Sequence, residues 1–379
     1  MDFLLTEDQK TIQKLTKDFA EKELKPGILE RDETCEFPIE QYRKLGATGA
    51  YGIPFAKELG GIGGDYLSYI LSVEEISKID AAFGIAFSVN TSLYGGSIVL
   101  SSAPEEIKRK FISPIIYGEK IGSFGLTEHT AGSDAAGQKT VAVKDGNEYV
   151  LNGSKCFNTN GPLADYTVIY CLTDPEIGTK SMAAFVVEKG TPGFTVGKVE
   201  NKMGIRCAQV SDLHLDNVRV PAENMIAKPG EGFRLAMSTL DGGRIGVAAQ
   251  ALGIAKGAFD VTVEYMKKRE QFGKPIYKNQ YLAFEMAELK TEIKAAELLT
   301  YKAAIAHDSG GRYSVDAAMA KLKSTDVAMK VTEKCVQMLG GNGYMKEYHV
   351  ERMMRDAKIT QIYEGTNEIQ KLIISGSVF

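Results

Sequence analysis

The chain has 379 residues, 44% of them hydrophobic, with 45 lysines and arginines against 49 aspartates and glutamates. This length is enough for two or three domains with well-filled cores, which excludes a single small module. The balance of charge, and the lack of basic runs interleaved with aromatic residues, argues against a protein that binds nucleic acid.

The cysteines and the N-terminal segment bear on compartment and metal binding. The five cysteines are far apart and form no Cys-x-x-Cys pair, so neither a zinc site nor a disulfide framework is predicted. The segment MDFLLTEDQKTIQ is charged and amphipathic, and no run of about 18 consecutive apolar residues follows it. The sequence therefore predicts a cytoplasmic protein with reduced thiols, no membrane span and no metal site.

The pattern of apolar residues changes twice along the chain. Residues 6–118 have apolar positions at helical spacing, as in IQKLTKDFAEKEL and YLSYILSVEEISKI. Residues 121–228 form short alternating runs separated by DG and NG turn pairs, which are typical of β-hairpins. After PGEGF the helical period returns in segments long enough for an antiparallel bundle. We predict a mainly helical α+β protein with a helical domain over 1–120, a β-domain over 121–229 and a second helical domain over 230–379.

Common catalytic and nucleotide-binding motifs are missing from the sequence. It contains no G-x-G-x-x-G after a strand pattern, no G-x-x-x-x-G-K-[ST], no G-x-S-x-G and no H-E-x-x-H. The four histidines are widely scattered, which leaves little material for a histidine-centred site. If the protein is an enzyme, a carboxylate or a bound cofactor must carry the reaction.

Two stretches of the β region are rich in Thr, Ser and Gly: FGLTEHTAGSD at 124–134 and KCFNTNG at 155–161. Both lie where a strand pattern gives way to a loop. Backbone N–H groups and hydroxyls there can cradle a polar heteroaromatic ring or a phosphate, and glycines allow close approach. The alternative is a pair of ordinary Ser/Thr turns.

Three stretches of the C-terminal helical region also qualify as ligand contacts. LDGGR at 240–244 places Asp241 and Arg244 three residues apart, and KKREQFGKP at 267–275 combines Arg269 with Phe272. QMLGGNGY at 337–344 interrupts a strong helix pattern with glycines. The alternatives are a surface ion pair, a solvated helix end and a plain helix C-cap.

The stretch QIYEGTNEIQ at 361–370 breaks the last helical run around one carboxylate. Gly365 permits a turn, and Thr366 is a good N-cap for a new helix, so Glu364 is predicted on a turn at a helix start. An acidic residue there can simply complement the helix dipole. It can also be a carboxylate held in place for chemistry.

Taken in order, these motifs resemble the acyl-CoA dehydrogenase family over nearly the whole chain. The resemblance is carried by FGLTE-x-x-AGSD, FNTNG, DGGR-x-G-x-AAQALG-x-A, R-x-QFGKP, QMLGGNGY and ERMMRDAKITQIYEGTNEIQ. It is greatest to short-chain (butyryl-CoA) dehydrogenases of anaerobic bacteria and to their enoyl-CoA reductase relatives. It implies that the C-terminal domain is a four-helix bundle and that FAD lies between the domains and across the subunits of a homotetramer.

The resemblance also implies roles for single residues. Glu364 would be the base that removes the substrate α-proton, and its backbone N–H would polarise the thioester carbonyl. Leu126 and Thr127 would contact the flavin pyrimidine, and Phe157 and Thr159 the ring near N5. The other residues implied to contact FAD are Gly132, Ser133, Thr366, Glu368 and, in a neighbouring subunit, Arg269, Phe272, Gln280, Gln337, Gly340 and Gly341. Those implied to contact the acyl-CoA are Ser133, Asp241, Arg244, Tyr363, Gly365 and Gly95.

The sequence departs from the family pattern at a few positions. His129-Thr130 stands where Pro-Gly or Pro-Asn is common, Phe157 where many members have Trp, and Asn158 where an apolar residue is usual. Asn158 is expected to bring a polar amide close to the flavin. Gly95 and Gly96 are expected to leave room at the deep end of the acyl pocket, the alternative being a close helix crossing.

The direction of the reaction stays open at this point. The expected activity is dehydrogenation of short acyl-CoA thioesters with electron transfer to an electron-transferring flavoprotein. The same site could run in reverse, as a reductase of enoyl-CoA or aryl-propenoyl-CoA fed by such a flavoprotein. An oxidase and a non-catalytic helical scaffold are less favoured alternatives.

Overall fold

The computed structural model describes residues 4–379; residues 1–3, at the start of the predicted N-terminal domain, lie outside the described part. The N-terminal third of the described chain is helical, as predicted. Its helices are α1 Glu7–Phe19, α2 Ile28–Thr34, α3 Ile39–Gly46, α4 Tyr66–Ser77, α5 Ala81–Ser88, α6 Gly96–Leu100 and α7 Glu105–Ile116.

The core of this region is built on α4 and α5. Every residue of α4 is buried, and Asp65 caps the helix by accepting a hydrogen bond from the Ser68 N–H at 2.7 Å. A π-helical segment, Val89–Gly95, joins α5 to α6. Among residues 4–379, the composite helix Ala81–Leu100 is long and apolar enough to cross a membrane by length and composition, but 83% of its apolar window is buried inside the protein.

The middle of the chain forms the predicted β region. Its strands are β1 Gly122–Gly125, β2 Val141–Asp145, β3 Glu148–Thr159, β4 Tyr166–Leu172, β5 Met182–Glu188, β6 Phe194–Val199, β7 Val210–Pro221 and β8 Met225–Ala227. They form one sheet in the order β6-β7-β3-β2-β4-β5-β8, with β1 paired in parallel to β4. The predicted DG hairpin joins β2 to β3, whereas the NG pair lies within β3 at a register shift. Gly153 packs there against Thr140, so this NG marks an irregularity in a strand and no turn.

The C-terminal part returns to long helices, as predicted. These are α8 Gly232–Lys268, α9 Gln280–Asp308, α10 Ser314–Leu339, α11 Val350–Thr360 and α12 Asn367–Ser375, with a short ribbon of β9 Glu270–Gln271 and β10 Lys274–Pro275 after α8. Small residues fill the centre of α8, where positions 242–255 are all buried. This lets α4, α5, α10 and α11 approach its backbone closely.

Three contacts show how the helical parts and the sheet meet. The Tyr66 hydroxyl donates to the Gly242 carbonyl at 2.9 Å, and the Gln250 side chain donates to the Ala81 carbonyl at 2.8 Å. Phe124 of β1 packs against the apolar cores of both the sheet side and the C-terminal bundle. The centre of α8 is therefore the place where all three parts of the fold converge.

Candidate active site

The turn between α11 and α12 is an unusual piece of backbone. Thr366 caps α12 as predicted, its hydroxyl accepting from the Ile369 N–H at 3.4 Å. Gly365 has φ +90° and Glu364 itself has φ +53°. A left-handed conformation costs a residue with a Cβ about 1–2 kcal/mol, and such strain persists only where the surroundings fix it. The strain at Glu364 fixes the direction in which its side chain leaves the backbone.

The Glu364 carboxylate points into the protein interior. Both of its oxygens are buried and, within the described residues, neither has a hydrogen-bond partner. The carboxylate lies against Gly243 of α8, where a Cβ would overlap Oε2 and would lie 2.6 Å from Cδ2 of Leu93. Because Gly243 has no side chain, the Glu364 carboxylate and Leu93 can both pack against α8 at this point.

The electrostatics of this site match a proton acceptor. Burial raises the pKa of Glu364 to about 7, and the charges of Arg244 and Lys321 oppose that rise. A general base is most effective when its pKa lies near the working pH. The direction of the shift is the one expected for a carboxylate in an apolar pocket.

Asp241 and Arg244 form a pair, but not on the surface. Arg244 is buried, its guanidinium is bonded to Asp241, and its Nε donates to the Glu364 carbonyl at 3.4 Å. The hydroxyl of Ser314, at the start of α10, donates to the other Asp241 oxygen. The surface-pair alternative is therefore wrong, because the pair braces the carboxylate turn from the α8 side.

Tyr363 lies beside the same site. Its hydroxyl donates to the Gln250 side chain of α8, and its ring packs against the apolar core that contains Leu93. This hydrogen bond and this packing together fix the position of the Tyr363 ring. This position is compatible with the predicted role as a wall of the acyl pocket.

Gly95 does not leave the room that was expected. The ring of Phe55 occupies the space beside it, so a Cβ at Gly95 would overlap the Phe55 Cζ. At Gly96 a Cβ would make an ordinary contact, 3.7 Å from Cγ2 of Thr239. The alternative of a close helix crossing does not describe Gly95 either, because the ring that fills the gap belongs to Phe55, which lies outside the helices.

The two polar stretches of the sheet are brought together. The Cys156 N–H donates to the Thr127 carbonyl at 2.8 Å, and the Lys155 ammonium donates to the Leu126 carbonyl at 3.2 Å. Lys155 is fully buried, and it also bonds Glu128 at 2.8 Å. The residues predicted to contact one flavin therefore lie on adjoining backbone.

The surface of this region leaves an aromatic side chain open. Phe157 has φ +56° and is 67% exposed, and Thr159 is half-buried, its carbonyl accepting from the Ser123 hydroxyl at 2.8 Å. Gly132 and Ser133 are exposed as well. A large apolar ring held out in a left-handed conformation needs a partner surface, and a flat heteroaromatic ring is a suitable one.

Asn158 and His129 take positions that the sequence does not predict. Asn158 is buried, and its amide donates to the Ser211 carbonyl of β7 at 3.1 Å, so the polar amide faces the sheet interior while Phe157 is exposed. The His129 ring bonds Asp212 at 3.0 Å and lies 6.3 Å from the Phe157 ring, centre to centre. The Asn158 side-chain oxygen has no hydrogen-bond partner among the described residues, and the expected approach of this amide to the flavin stays a prediction.

A second candidate site is an open groove at the far end of the bundle, with a volume of about 710 Å³. Residues from three separate stretches line it. Among the residues predicted to hold FAD in a neighbouring subunit, those that line it are Arg269, Phe272, Gln337, Gly340 and Gly341. Gln280 does not line the groove, although its neighbours Asn279 and Tyr281 do. The fold therefore collects residues that are about 70 positions apart in the chain.

Thr366 and Glu368 lie just past the carboxylate turn. Thr366 is half-buried as the cap of α12, whereas Glu368 is exposed, and hydrogen bonds from its own backbone and from Thr366 hold its pKa below the usual value. Neither lies among the residues of the groove. Their predicted contact with the cofactor stays a prediction.

Comparison with known families accounts for these arrangements. Residues 6–119, 123–218 and 230–379 match the N-terminal, middle and C-terminal domain models of acyl-CoA dehydrogenase.

The chain belongs to the acyl-CoA dehydrogenase family.

Individual members of the family are similar over the full length. The short-chain specific acyl-CoA dehydrogenase of Clostridium acetobutylicum is 54% identical, with 100% of both chains covered. A subunit of the caffeyl-CoA reductase–Etf complex of Acetobacterium woodii is 44% identical, with 98% of this chain and 98% of the subunit covered.

Solved structures agree with the fold of this acyl-CoA dehydrogenase family member. Butyryl-CoA dehydrogenase from Megasphaera elsdenii matches with a TM-score of 0.98 and 50% identity over 100% of both chains. A chain in the structure described as "Electron transferring flavoprotein of Acidaminococcus fermentans: Towards a mechanism of flavin-based electron bifurcation" matches with a TM-score of 0.99 and 50% identity, again over 100% of both chains. The predicted family and fold are confirmed.

Sequence analysis missed several residues that shape the carboxylate site. Phe55 and Gln250 contact predicted site residues, and Gln370 donates to the Gly365 carbonyl at 2.8 Å. Lys321 of α10 is fully buried and bonds the same carbonyl at 2.9 Å. One signal was available for Lys321, because it lies on the helical stripe otherwise made of small and apolar residues: Ala317, Ser324, Ala328 and Val331.

Proposed function

We propose that this protein is an FAD-dependent dehydrogenase that introduces an α,β double bond into short-chain acyl-CoA thioesters and passes the electrons to an electron-transferring flavoprotein. The observation that carries the proposal is the Glu364 carboxylate, whose oxygens are buried without a hydrogen-bond partner among the described residues, with a pKa of about 7 on a strained turn. Desolvation makes a carboxylate a stronger base toward a carbon acid. The names of the similar proteins support a short-chain substrate.

The described residues fit FAD. Members of this family are flavoproteins. In this chain the exposed Phe157 ring supplies a flat apolar surface, and a Cβ at Gly340 or Gly341 would meet no atom within 4 Å, so backbone in the groove is open to a ligand. Arg269 in the same groove suits a diphosphate. When bound, FAD supplies the acceptor for a hydride from the substrate β-carbon.

The protein's own residues then have defined tasks. Glu364 takes the α-proton, while the β-hydrogen leaves with two electrons and the Cα–Cβ bond becomes double. The Glu364 N–H would donate to the thioester carbonyl, as the family resemblance implies, and would stabilise the negative charge that develops as the α-proton leaves. Tyr363 and Leu93 shield the carboxylate from water, which keeps its basicity high.

We also propose a cytoplasmic homotetramer with domains at 1–120, 121–229 and 230–379. Large apolar side chains at and around the groove support association, because Phe272, Tyr281, Phe284 and Tyr344 are 60% to 100% exposed. Such rings are rarely left in water unless a partner covers them. Light scattering of the purified protein tests the tetramer, and cell fractionation tests the compartment.

Anaerobic bleaching of the bound flavin tests the reaction. We expect butyryl-CoA to bleach the flavin absorbance faster than long-chain acyl-CoAs do. A purified protein with no flavin absorbance would instead support a non-catalytic scaffold. A yellow protein that no saturated acyl-CoA reduces and no enoyl-CoA reoxidises would overturn the proposal.

The second candidate is the same site run in reverse, as an enoyl-CoA or aryl-propenoyl-CoA reductase. The similarity to a subunit of the caffeyl-CoA reductase–Etf complex supports it. The two directions differ in what an electron-transferring flavoprotein does to the rate. The reductase is favoured if enoyl-CoA is reduced with electrons from the reduced flavoprotein faster than acyl-CoA is oxidised.

A further inference from the structure

Lys321 reaches the carboxylate turn from α10. The side chain is fully buried, and its ammonium donates to the Gly365 carbonyl and to the Asn367 side chain, both at 2.9 Å. Gly365 directly follows Glu364. A buried ammonium costs several kcal/mol in lost hydration unless hydrogen bonds and opposite charge compensate it. The residues that compensate it are those that define the turn.

Asn367 connects this lysine to a wider clamp. The Thr325 hydroxyl donates to the Asn367 side-chain oxygen at 3.1 Å, and the Asn367 amide donates to Asp326 at 2.8 Å. The Gln361 amide donates to the same Asp326 oxygen at 2.7 Å. Both ends of the turn, at 361 and 367, are therefore tied to α10, and Lys321 holds the middle.

The charges around the lysine come from every element packed on the turn. They are the carboxylate of Glu364 on the turn, Arg244 and its partner Asp241 on α8, Asp326 on α10 and Glu368 on α12. Burial lowers the pKa of Lys321 to about 7, and the Glu364 charge opposes that fall. Because the charge of each group shifts the pKa of the other, the two groups release their protons as a coupled pair.

We propose that Lys321 is a positioning residue for the reaction: it fixes the backbone of the Glu364–Gly365 turn, and its positive charge favours the ionised, proton-accepting form of Glu364. This inference depends on the proposed function, because it takes Glu364 as the base. Arg244 also opposes the rise in the Glu364 pKa, and more strongly than Lys321 does, but its guanidinium is bonded to Asp241. Lys321 has no carboxylate bond among the described residues, and its hydrogen bonds go to the turn itself.

The test compares Lys321→Met, which removes both charge and donors, with Lys321→Gln, which keeps amide donors but no charge. The pH dependence of single-turnover flavin reduction gives the apparent pKa of the base. We expect both variants to raise it by about 1, the lower end of the effect of one opposite charge within 4–6 Å. The rate below that pKa then falls about tenfold and recovers at higher pH in Lys321→Gln.

A second readout does not depend on turnover. The infrared band of the protonated carboxyl that disappears in Glu364→Gln can be titrated in each lysine variant. In both lysine variants the pH midpoint of this band should rise together with the apparent pKa of flavin reduction. Thr325→Val is the matched control, because it loosens the hydroxyl contact to Asn367 without changing charge, and its midpoint should match that of the wild type.

The possible outcomes separate two failures. An unmoved carboxyl midpoint in both lysine variants would overturn the charge role of Lys321, whatever their stability. A Lys321→Gln variant with normal turnover at every pH would overturn the positioning role as well. Failure of the proposed function would appear elsewhere, as flavin reduction at wild-type speed in Glu364→Gln.

Discussion

Lys155 in the sheet and Lys321 in the bundle are both fully buried, but they differ in their hydrogen-bond partners. Lys155 bonds Glu128 at 2.8 Å, the Leu126 carbonyl at 3.2 Å and the Gln138 side chain at 2.9 Å. Among the described residues Lys321 bonds only uncharged oxygens, although the Glu364 carboxylate lies close enough to influence its pKa.

The carboxylates differ in the same way. Glu128 accepts hydrogen bonds from Lys155, from the N–H groups of Lys139 and Thr140 and from the Thr140 hydroxyl. Burial alone would raise its pKa, but the charge and hydrogen bonds of Lys155 bring it below the usual value. The Glu364 carboxylate accepts no hydrogen bond from the described residues, and its pKa rises to about 7. A carboxylate whose oxygens all accept hydrogen bonds stabilises the structure, whereas a carboxylate without hydrogen bonds retains its capacity to bind a proton.

The largest expected effect comes from replacing the Glu364 carboxylate. Glu364→Gln should slow flavin reduction by saturated acyl-CoA by at least roughly 10² to 10⁴, because an amide cannot accept the α-proton. FAD content and CoA-ligand binding should survive, since the amide has nearly the same shape. A helix-dipole role would instead give near-normal turnover and a stability loss of at most about 1 kcal/mol. Single-turnover bleaching beside a thermal melt decides between these outcomes.

Breaking the hydrogen-bonded pair of Lys155 and Glu128 should lower the stability of the protein. Lys155→Met leaves Glu128 buried with its counter-charge removed, so we expect the free energy of unfolding to fall by about 3–5 kcal/mol. Denaturant unfolding at fixed protein concentration measures this. The double variant Lys155→Met/Glu128→Gln should recover part of the loss, because it removes the uncompensated charge. A loss below about 1 kcal/mol in the single variant would remove the contrast between the two lysines.

The pH dependence of stability sharpens the same contrast. The folded-state pKa of Glu364, about 7, lies above its ordinary value of 4.5, so the folded protein holds this proton more tightly than the unfolded chain. The stability this contributes is complete below pH 4.5 and is lost as pH rises through 7. Relative to Glu364→Gln, wild type should therefore lose up to roughly 3 kcal/mol between these pH values. Equal pH profiles for the two proteins would show that the carboxyl is not buried as described.

The smallest expected effect concerns the adjacent glycines near the site. Gly95→Ala should destabilise the protein by about 1–2 kcal/mol, because the new methyl group meets the Phe55 ring. Gly96→Ala is the matched control, since its methyl group has room and alanine favours a helix by up to about 1 kcal/mol. Thermal melts of both variants measure the difference. Equal stability would mean that Phe55 moves away easily and that room near Gly95 is available to a substrate.

Much of this protein follows from its sequence. Apolar periodicity gave the order of helical, β and helical regions, and Gly365 and Thr366 predicted the turn and the cap at α12. These features depend on neighbours within a few positions, and local preferences decide such structure. The motif order was enough to predict the family and the fold, and both are confirmed.

Tertiary structure decided the remainder. Lys321 is 44 positions before Gly365, and Phe55 is 40 before Gly95, so no local pattern could show that either pair meets. The direction of Asn158 depends on β7, and the burial of Arg244 depends on how α8 packs. Whether a buried charge is satisfied or left free is set by the atoms that surround it, and those come from distant segments. The sequence therefore named the carboxylate, and only packing set its basicity.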